Sequence, residues 1–209
     1  MRCTPSPSSC HPVARAVAAL QRGEVIAYPT ETVFGLGVDP FHPGALAALL
    51  RLKGRDVGKG LIVLVGGMDQ LTVVIRPPSE VARRLMGLFW PGPLTLVLPS
   101  LPGLSSLLTG GGEFVAVRLS SARRVAVLMR AWGGPLVSTS ANLSGGEPAR
   151  DAATVRRLWS EGVAVVVPGW CRSSSLPSTV VRVTEGGIEL LRPGVIPFSS
   201  VQAALAVSG

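Results

Sequence analysis

The chain has 209 residues, 20 basic and 12 acidic side chains, a net charge of +8 and an apolar share of 47%. That length fits one domain with a sizeable core, and the sign of the charge favours polyanionic partners such as nucleotides or RNA. Cys3, Cys10, Cys171, His11 and His42 match no zinc spacing or disulfide framework, and no apolar run approaches the ~20 residues of a membrane span, so a soluble cytoplasmic protein without a membrane partner is expected.

Residues 1–12 are expected to be a flexible N-terminal tail and 13–209 a single domain without internal repeats. Val13, Ala16, Val17 and Leu20 recur at helical spacing, which predicts a helix over 12–22 stopped by Gly23. Residues 25–28 read as a buried strand ended by Pro29, and 30–37 as a loop carrying Gly35 and Gly37. A helix over 42–52 puts Leu46, Leu49 and Leu50 on one face. The apolar run 61–65 between glycines reads as a central strand. Ser79 caps a helix that runs to 89, where Trp90-Pro91-Gly92-Pro93 breaks it. Strands over 94–98 and 114–119 flank the Gly110-Gly111-Gly112 turn. A helix over 122–132, a short strand over 135–137, a polar loop over 138–146 and a helix over 152–160 follow. Strands at 163–167, 179–183 and 188–191 precede a last helix at 201–207; the final two strands are close enough for a hairpin. Helices and strands mix without strict alternation, which predicts an α/β (α+β) fold, a twisted mixed sheet with helices on its faces. Trp90, Trp132, Trp159 and Trp170 fit core or rim packing better than base stacking.

The chain has only two lysines, Lys53 and Lys59, and both lie in one segment with Arg55. Ammonium groups suit phosphate as point charges, and a guanidinium offers a bidentate fork. No Walker sequence is present, Gly35-Leu36-Gly37 lacks the third glycine of a dinucleotide fingerprint, and two histidines support no Ser/His/Asp arrangement. Polar loops instead fall at predicted strand ends: Thr30-Glu31-Thr32, the Lys53–Lys59 segment, Arg118, the run from Ser138 to Gly145, Pro177-Ser178-Thr179 and Arg192-Pro193-Gly194. Together they predict a polar, cationic cleft.

These stretches, with Trp90-Pro91-Gly92-Pro93-Leu94-Thr95 and Val115-Ala116-Val117-Arg118, occur in the order found in one family. Over about residues 13–194 the chain resembles the YrdC/TsaC family, the L-threonylcarbamoyladenylate synthases, in its short bacterial form. The resemblance implies the YrdC-like fold with a large basic cavity. It implies a nucleotidyltransferase that forms threonylcarbamoyl-AMP and pyrophosphate from L-threonine, bicarbonate and ATP with Mg²⁺ assisting and no metal-ligating residues. The product would feed a threonylcarbamoyl-transferase complex that modifies tRNA beside the anticodon. The resemblance places Thr32 and Ser138 near L-threonine, where their hydroxyls can satisfy ammonium or carboxylate. It places Arg55, Lys59, Arg118, Ser140, Asn142, Thr179 and Arg192 around ATP, and gives Lys53 and Arg55 the catalytic role beside the phosphates. Asn142 can equally brace its loop, and Glu31 can orient a lysine or arginine. Gly60, Leu64, Phe114 and Arg182 depart from common wording in the family. The alternative is an RNA-binding module of this fold without synthase activity; tRNA or structured RNA is also a partner class compatible with the charge.

Overall fold

The structure is a computed structural model that describes residues 11–143, 145–171 and 176–206. Cys3, Cys10, Ser144 and the end of the expected last helix lie outside the described residues. His11 caps the first helix through its ring nitrogen and Pro12 begins it, so the described part of the expected tail is helix.

Among the described residues nine strands form one mixed sheet, in the order β7-β1-β2-β6-β3-β5-β4-β8-β9. They are β1 (Ile26–Pro29), β2 (Phe34–Gly37), β3 (Ile62–Leu64), β4 (Leu94–Pro99), β5 (Phe114–Arg118), β6 (Leu136–Ser140), β7 (Val165–Val166), β8 (Thr179–Thr184) and β9 (Gly187–Arg192). Pairs β1/β7, β3/β5 and β4/β8 are parallel and the others antiparallel. The described residues also form eight helices that pack on it: α1 (Pro12–Gln21), α2 (Pro43–Lys53), α3 (Met68–Leu71), α4 (Glu80–Phe89), α5 (Ser106–Thr109), α6 (Arg123–Trp132), α7 (Ala152–Leu158) and α8 (Phe198–Ala206). The short turns α3 and α5 have no counterpart in the hydrophobic periodicity.

Successive residues of a strand point to opposite faces, so a sheet covered on both sides needs apolar residues at consecutive positions. Ile26 and Tyr28 pack with α1 and α6, while Ala27 between them joins the larger core under α2, α4 and α7. Leu64 and Leu136 face the first layer, Val63 and Val137 the second. This two-sided burial puts helices on both faces, as the sequence predicts.

Two expected loops are strands. Residues 34–37 pair with β1 and β6, and residues 138–140 continue β6. Glycine hides the first, because it lacks β propensity. It is required there by crowding: a Cβ on Gly37 would stand 2.7 Å from the Val137 carbonyl oxygen and 2.8 Å from the Tyr28 ring. Gly37→Ala is therefore expected to destabilise the fold by about 1–3 kcal/mol, read as a lower urea midpoint at unchanged slope. A wild-type midpoint would show that β2 can move aside. In β6 the polar run Ser138-Thr139-Ser140 looks like a turn but is a ladder strand, with Ser138 and Ser140 on the face that lines a cavity.

Candidate active site

The neighbouring strands β2, β6, β3 and β5 in the middle of the sheet, with the end of the edge strand β9, line a cavity of about 200 Å³. Gly35 of β2, Ile62 of β3, Ser138 and Ser140 of β6, Arg118 of β5 and Arg192 of β9 all face it. Thr30 and Thr32, from the β1–β2 turn, and Arg55, just after α2, complete the polar wall. Four separate segments, carrying Thr32, Arg55, Arg118 and the Ser138–Ser140 pair, thus meet Arg192 in one basin. No carboxylate is among its described lining residues.

Each cation is aimed by a different device. Gly54 ends α2 in the left-handed region (φ 57°), which turns Arg55 back over its own loop. Arg55 Nε donates to the Lys59 carbonyl at 3.3 Å and Nη2 to the Gly60 carbonyl at 3.0 Å. That loop is backed by Gly110, where a Cβ would lie 2.6 Å from the Gly58 oxygen. Arg192 donates from Nη2 to the Ser178 carbonyl at 2.9 Å and the Ser178 hydroxyl at 3.1 Å. Ser178 is itself held by Thr95 at 2.8 Å. Gly194 lets the two segments touch, since a Cβ there would fall 2.3 Å from the Pro177 oxygen. Arg118 is 5% exposed and stands 3.8 Å from Glu31, Nη1 to Oε1. Packing around its guanidinium, then the charges of Arg118 and Arg55, hold Arg192 below the usual arginine range. The three cations are therefore within electrostatic reach of one another, an arrangement that favours a bound polyanion.

The hydroxyls have a defined polarity. Thr30 Oγ1 spends its only proton on the Val33 carbonyl at 2.7 Å. The 3.0 Å contact between Thr30 Oγ1 and Thr32 Oγ1 is then donated by Thr32. Thr32 presents lone pairs to the cavity, so it accepts from an ammonium or amine rather than donating to a carboxylate. Ser140 Oγ donates to Asn142 Oδ1 at 2.5 Å and likewise offers only lone pairs.

Lys53, Asn142, Thr179 and Lys59 are not brought to the cavity wall. Lys53 is 4% exposed and its Nζ donates to the Ser140 carbonyl, to the Asn142 carbonyl at 2.9 Å and to Asn142 Oδ1 at 3.3 Å. Three ammonium protons meet three oxygens, so the lysine ties the end of α2 to the end of β6. Asn142 Nδ2 donates to the Leu143 and Gly146 carbonyls, each at 2.8 Å, and braces the loop. Thr179 is fully buried, donating to the Ile196 carbonyl at 2.6 Å. Lys59 is exposed. Sequence reasoning did not select Ser178 or Pro148, which also line the cavity. Ser178 sat in a motif already singled out; Pro148 carried no signal.

Burial, and secondarily the Arg55 charge, push the Lys53 ammonium down to about 8 from its ordinary 10.5. Between those values the unfolded chain binds the proton more tightly, so stability rises with pH from about 8 to 10.5. Turnover should fall across the same window, as the brace loses its third proton. Activity and thermal melting measured in parallel from pH 7 to about 10 check these opposite trends; parallel trends would show that the ammonium does not brace the loop.

A larger cavity of about 640 Å³ lies beyond Thr30, lined by His11, Val13, Arg123, Arg124, Val127 and Trp170 among others. Trp170 is 72% exposed, with the Arg124 guanidinium 5.3 Å from the ring centre. Of the four tryptophans this one is not a packing residue. Among the described residues no group of three His, Cys, Asp or Glu side chains is placed to hold a metal, and no helix is long and apolar enough to cross a membrane.

The Sua5/YciO/YrdC family model, described as "Telomere recombination", matches residues 18–194. The chain belongs to the Sua5/YciO/YrdC family. Curated members are named threonylcarbamoyl-AMP synthase: the Thiobacillus denitrificans protein is 44% identical over 82% of this chain and 90% of its own length. The Enterobacter protein is 45% identical over 74% of this chain and 83% of its own. Among solved structures, P. abyssi Sua5 complexed with L-threonine superposes with a TM-score of 0.88 at 32% identity. It matches 92% of this chain, which spans 57% of that longer one. E. coli YciO superposes at 0.79 with 25% identity, covering 88% and 90% of the two chains. The twisted mixed sheet with helices on its faces is thus the fold of the Sua5/YciO/YrdC family.

Two of the family-pattern departures meet. Phe114 and Arg182 sit on β5 and β8, either side of β4, and the Arg182 guanidinium lies 5.4 Å from the Phe114 ring centre while pairing with Glu189 at 3.3 Å. Leu64 is fully buried in the layer under α1 and α6 and does not reach the cavity.

Proposed function

We propose that this chain is a threonylcarbamoyl-AMP synthase acting on L-threonine, bicarbonate and MgATP. The observation that carries the reading is the meeting of Arg55, Arg118 and Arg192 with Thr32, Ser138 and Ser140 around one cavity whose described lining residues include no carboxylate. Such a wall neutralises and orients anions, and the reaction asks for little else. The free amine of L-threonine adds to CO₂, formed by dehydration of bicarbonate, and loses one proton to give a carbamate. A carbamate oxygen bonds to the α-phosphorus as the bond to the bridging oxygen of pyrophosphate breaks. The nucleophile is already an anion, so positioning and fixed cations suffice, without a strong protein base.

Within that reading Thr32 accepts from the amino nitrogen and fixes it beside the carbamate-forming centre. Ser138, 7% exposed, faces the same ligand. Arg118, Arg55 and Arg192 hold phosphate oxygens, and Ser140 accepts from a ribose hydroxyl. The cavity, at about 200 Å³, is smaller than the ~300–1,000 Å³ that encloses a drug-sized ligand. The amino acid and reacting phosphates fit inside, and the rest of the nucleotide lies along the rim toward Lys59. Mg²⁺ arrives on the phosphates as part of the substrate, because the wall offers it no carboxylate. A threonylcarbamoyl-transferase complex in the cytoplasm consumes the product. RNA, as a separate partner, is favoured at the second cavity by the exposed Trp170 face and the exposed Arg123; its binding should weaken steeply with salt.

Mass spectrometry of a reaction holding ATP, L-threonine and bicarbonate tests the function. Threonylcarbamoyl-AMP is the expected product. ATP turnover that continues unchanged without L-threonine would reject the proposal.

A further inference from the structure

Of the three cavity arginines, two are fixed by backbone oxygens: Arg55 by the carbonyls of Lys59 and Gly60, Arg192 by that of Ser178. Arg118 has no such anchor. Its Nε is buried without a hydrogen-bond partner, and among the described residues its ion-pair partner is Glu31. Glu31 does not line the cavity; its side chain is 16% exposed, behind the wall that Arg118 forms.

The carboxylate is itself anchored. The Ser120 hydroxyl accepts from the Ala122 N–H at 3.2 Å, and its single proton goes to Glu31 Oε2 at 2.5 Å. Ser120 is 6% exposed, so water competes little for that proton. The other oxygen, Oε1, is buried, makes no hydrogen bond and faces Arg118 Nη1 at 3.8 Å. A bidentate pair would use up the guanidinium fork. At 3.8 Å the attraction aims Arg118 and leaves its N–H groups for a ligand.

We propose that Glu31, held by Ser120, is the positioning residue that sets Arg118 toward the anion in the cavity. The inference rests on the synthase reading for its kinetic consequence only. A negative charge behind the wall opposes anion binding through space, so its use here is orientation rather than affinity. The two effects separate in Glu31→Gln, which keeps shape and hydrogen bonding to Ser120 but removes the charge. Inorganic pyrophosphate should bind this variant as tightly as wild type or more so by calorimetry. The rate constant kcat should fall about 10–100-fold, the scale of a misplaced catalytic contact, with KM for ATP unchanged or lower. Ser120→Ala should shift both quantities in the same directions by less, and Ser120→Thr, which keeps the hydroxyl, should restore them.

A third readout needs no turnover. The Arg118 Nε–H resonance, assigned by its loss in Arg118→Lys, should broaden or exchange faster in Glu31→Gln than in wild type. If wild type made no threonylcarbamoyl-AMP, the synthase reading would fail while this resonance and the pyrophosphate titration still tested the positioning. An unchanged kcat and unchanged resonance in Glu31→Gln would overturn the proposal. So would a kcat loss that merely tracks a lowered melting temperature, or one cured by raising Mg²⁺, which would make Glu31 a metal ligand instead.

Discussion

Arg118→Ala is expected to lower threonylcarbamoyl-AMP formation by about 10²–10³-fold, the usual cost of one preorganised donor at a developing anion. The expectation follows from placement. Arg118 closes β5, is 5% exposed and turns its guanidinium to the cavity from a wall that water hardly reaches. A cation so desolvated acts on a phosphate far more strongly than an exposed one does. Arg123→Ala, outside this cavity and on the α6 surface, is the control and should leave the rate at the wild-type level. Steady-state kinetics on the two variants checks the contrast. Equal losses would move the active centre toward the second cavity, and equal retention would strip Arg118 of its role.

Lys53→Met should injure both fold and activity, unlike Arg55→Ala. The methionine keeps the apolar stem but leaves the Ser140 and Asn142 carbonyls without their buried donor. Each stranded group costs about 1–3 kcal/mol, so a clear fall in melting temperature is expected. Activity should fall with it, because Ser140 and Asn142 are what the ammonium holds in place. Arg55 bonds only to its own loop, and Arg55→Ala should lose turnover at nearly wild-type stability. Differential scanning calorimetry with a rate assay separates the two. A stable but inactive Lys53→Met would return the lysine to direct phosphate contact. The sequence pairs these residues as a cationic couple with one shared role, and the structure separates them by where the donors point.

Much of the molecule was legible from periodicity. The apolar faces of α1 and α2 and the continuous apolar runs of β3 and β4 bury as their spacing predicts, because tertiary packing there agrees with local preference, whereas on α4 the spacing turns Val81, Leu85 and Leu88 inward and Leu88 is instead 59% exposed, with Ala82 and Met86 buried beside Leu85. The failures share a cause. Gly35, Gly37 and Ser138 to Ser140 serve close strand approach or the cavity, and both uses replace the β-branched residues by which strands are recognised. Convergence of Thr32, Arg55, Arg118 and Arg192 could be inferred only from the order of motifs in a family, since distances across the sheet depend on a strand order that no local pattern encodes. Donor direction was out of reach altogether. That Thr32 is an acceptor depends on a carbonyl at Val33, and that Lys53 is spent on β6 depends on a chain segment nearly ninety residues away.

A crystal structure with L-threonine and a non-hydrolysable ATP analogue tests the central claim most directly. The account predicts phosphate oxygens within hydrogen-bond distance of Arg55, Arg118 and Arg192, with the threonine nitrogen against Thr32 Oγ1. Nucleotide stacked instead on Trp170 beside Arg123 and Arg124, with the central basin left to solvent, would contradict it.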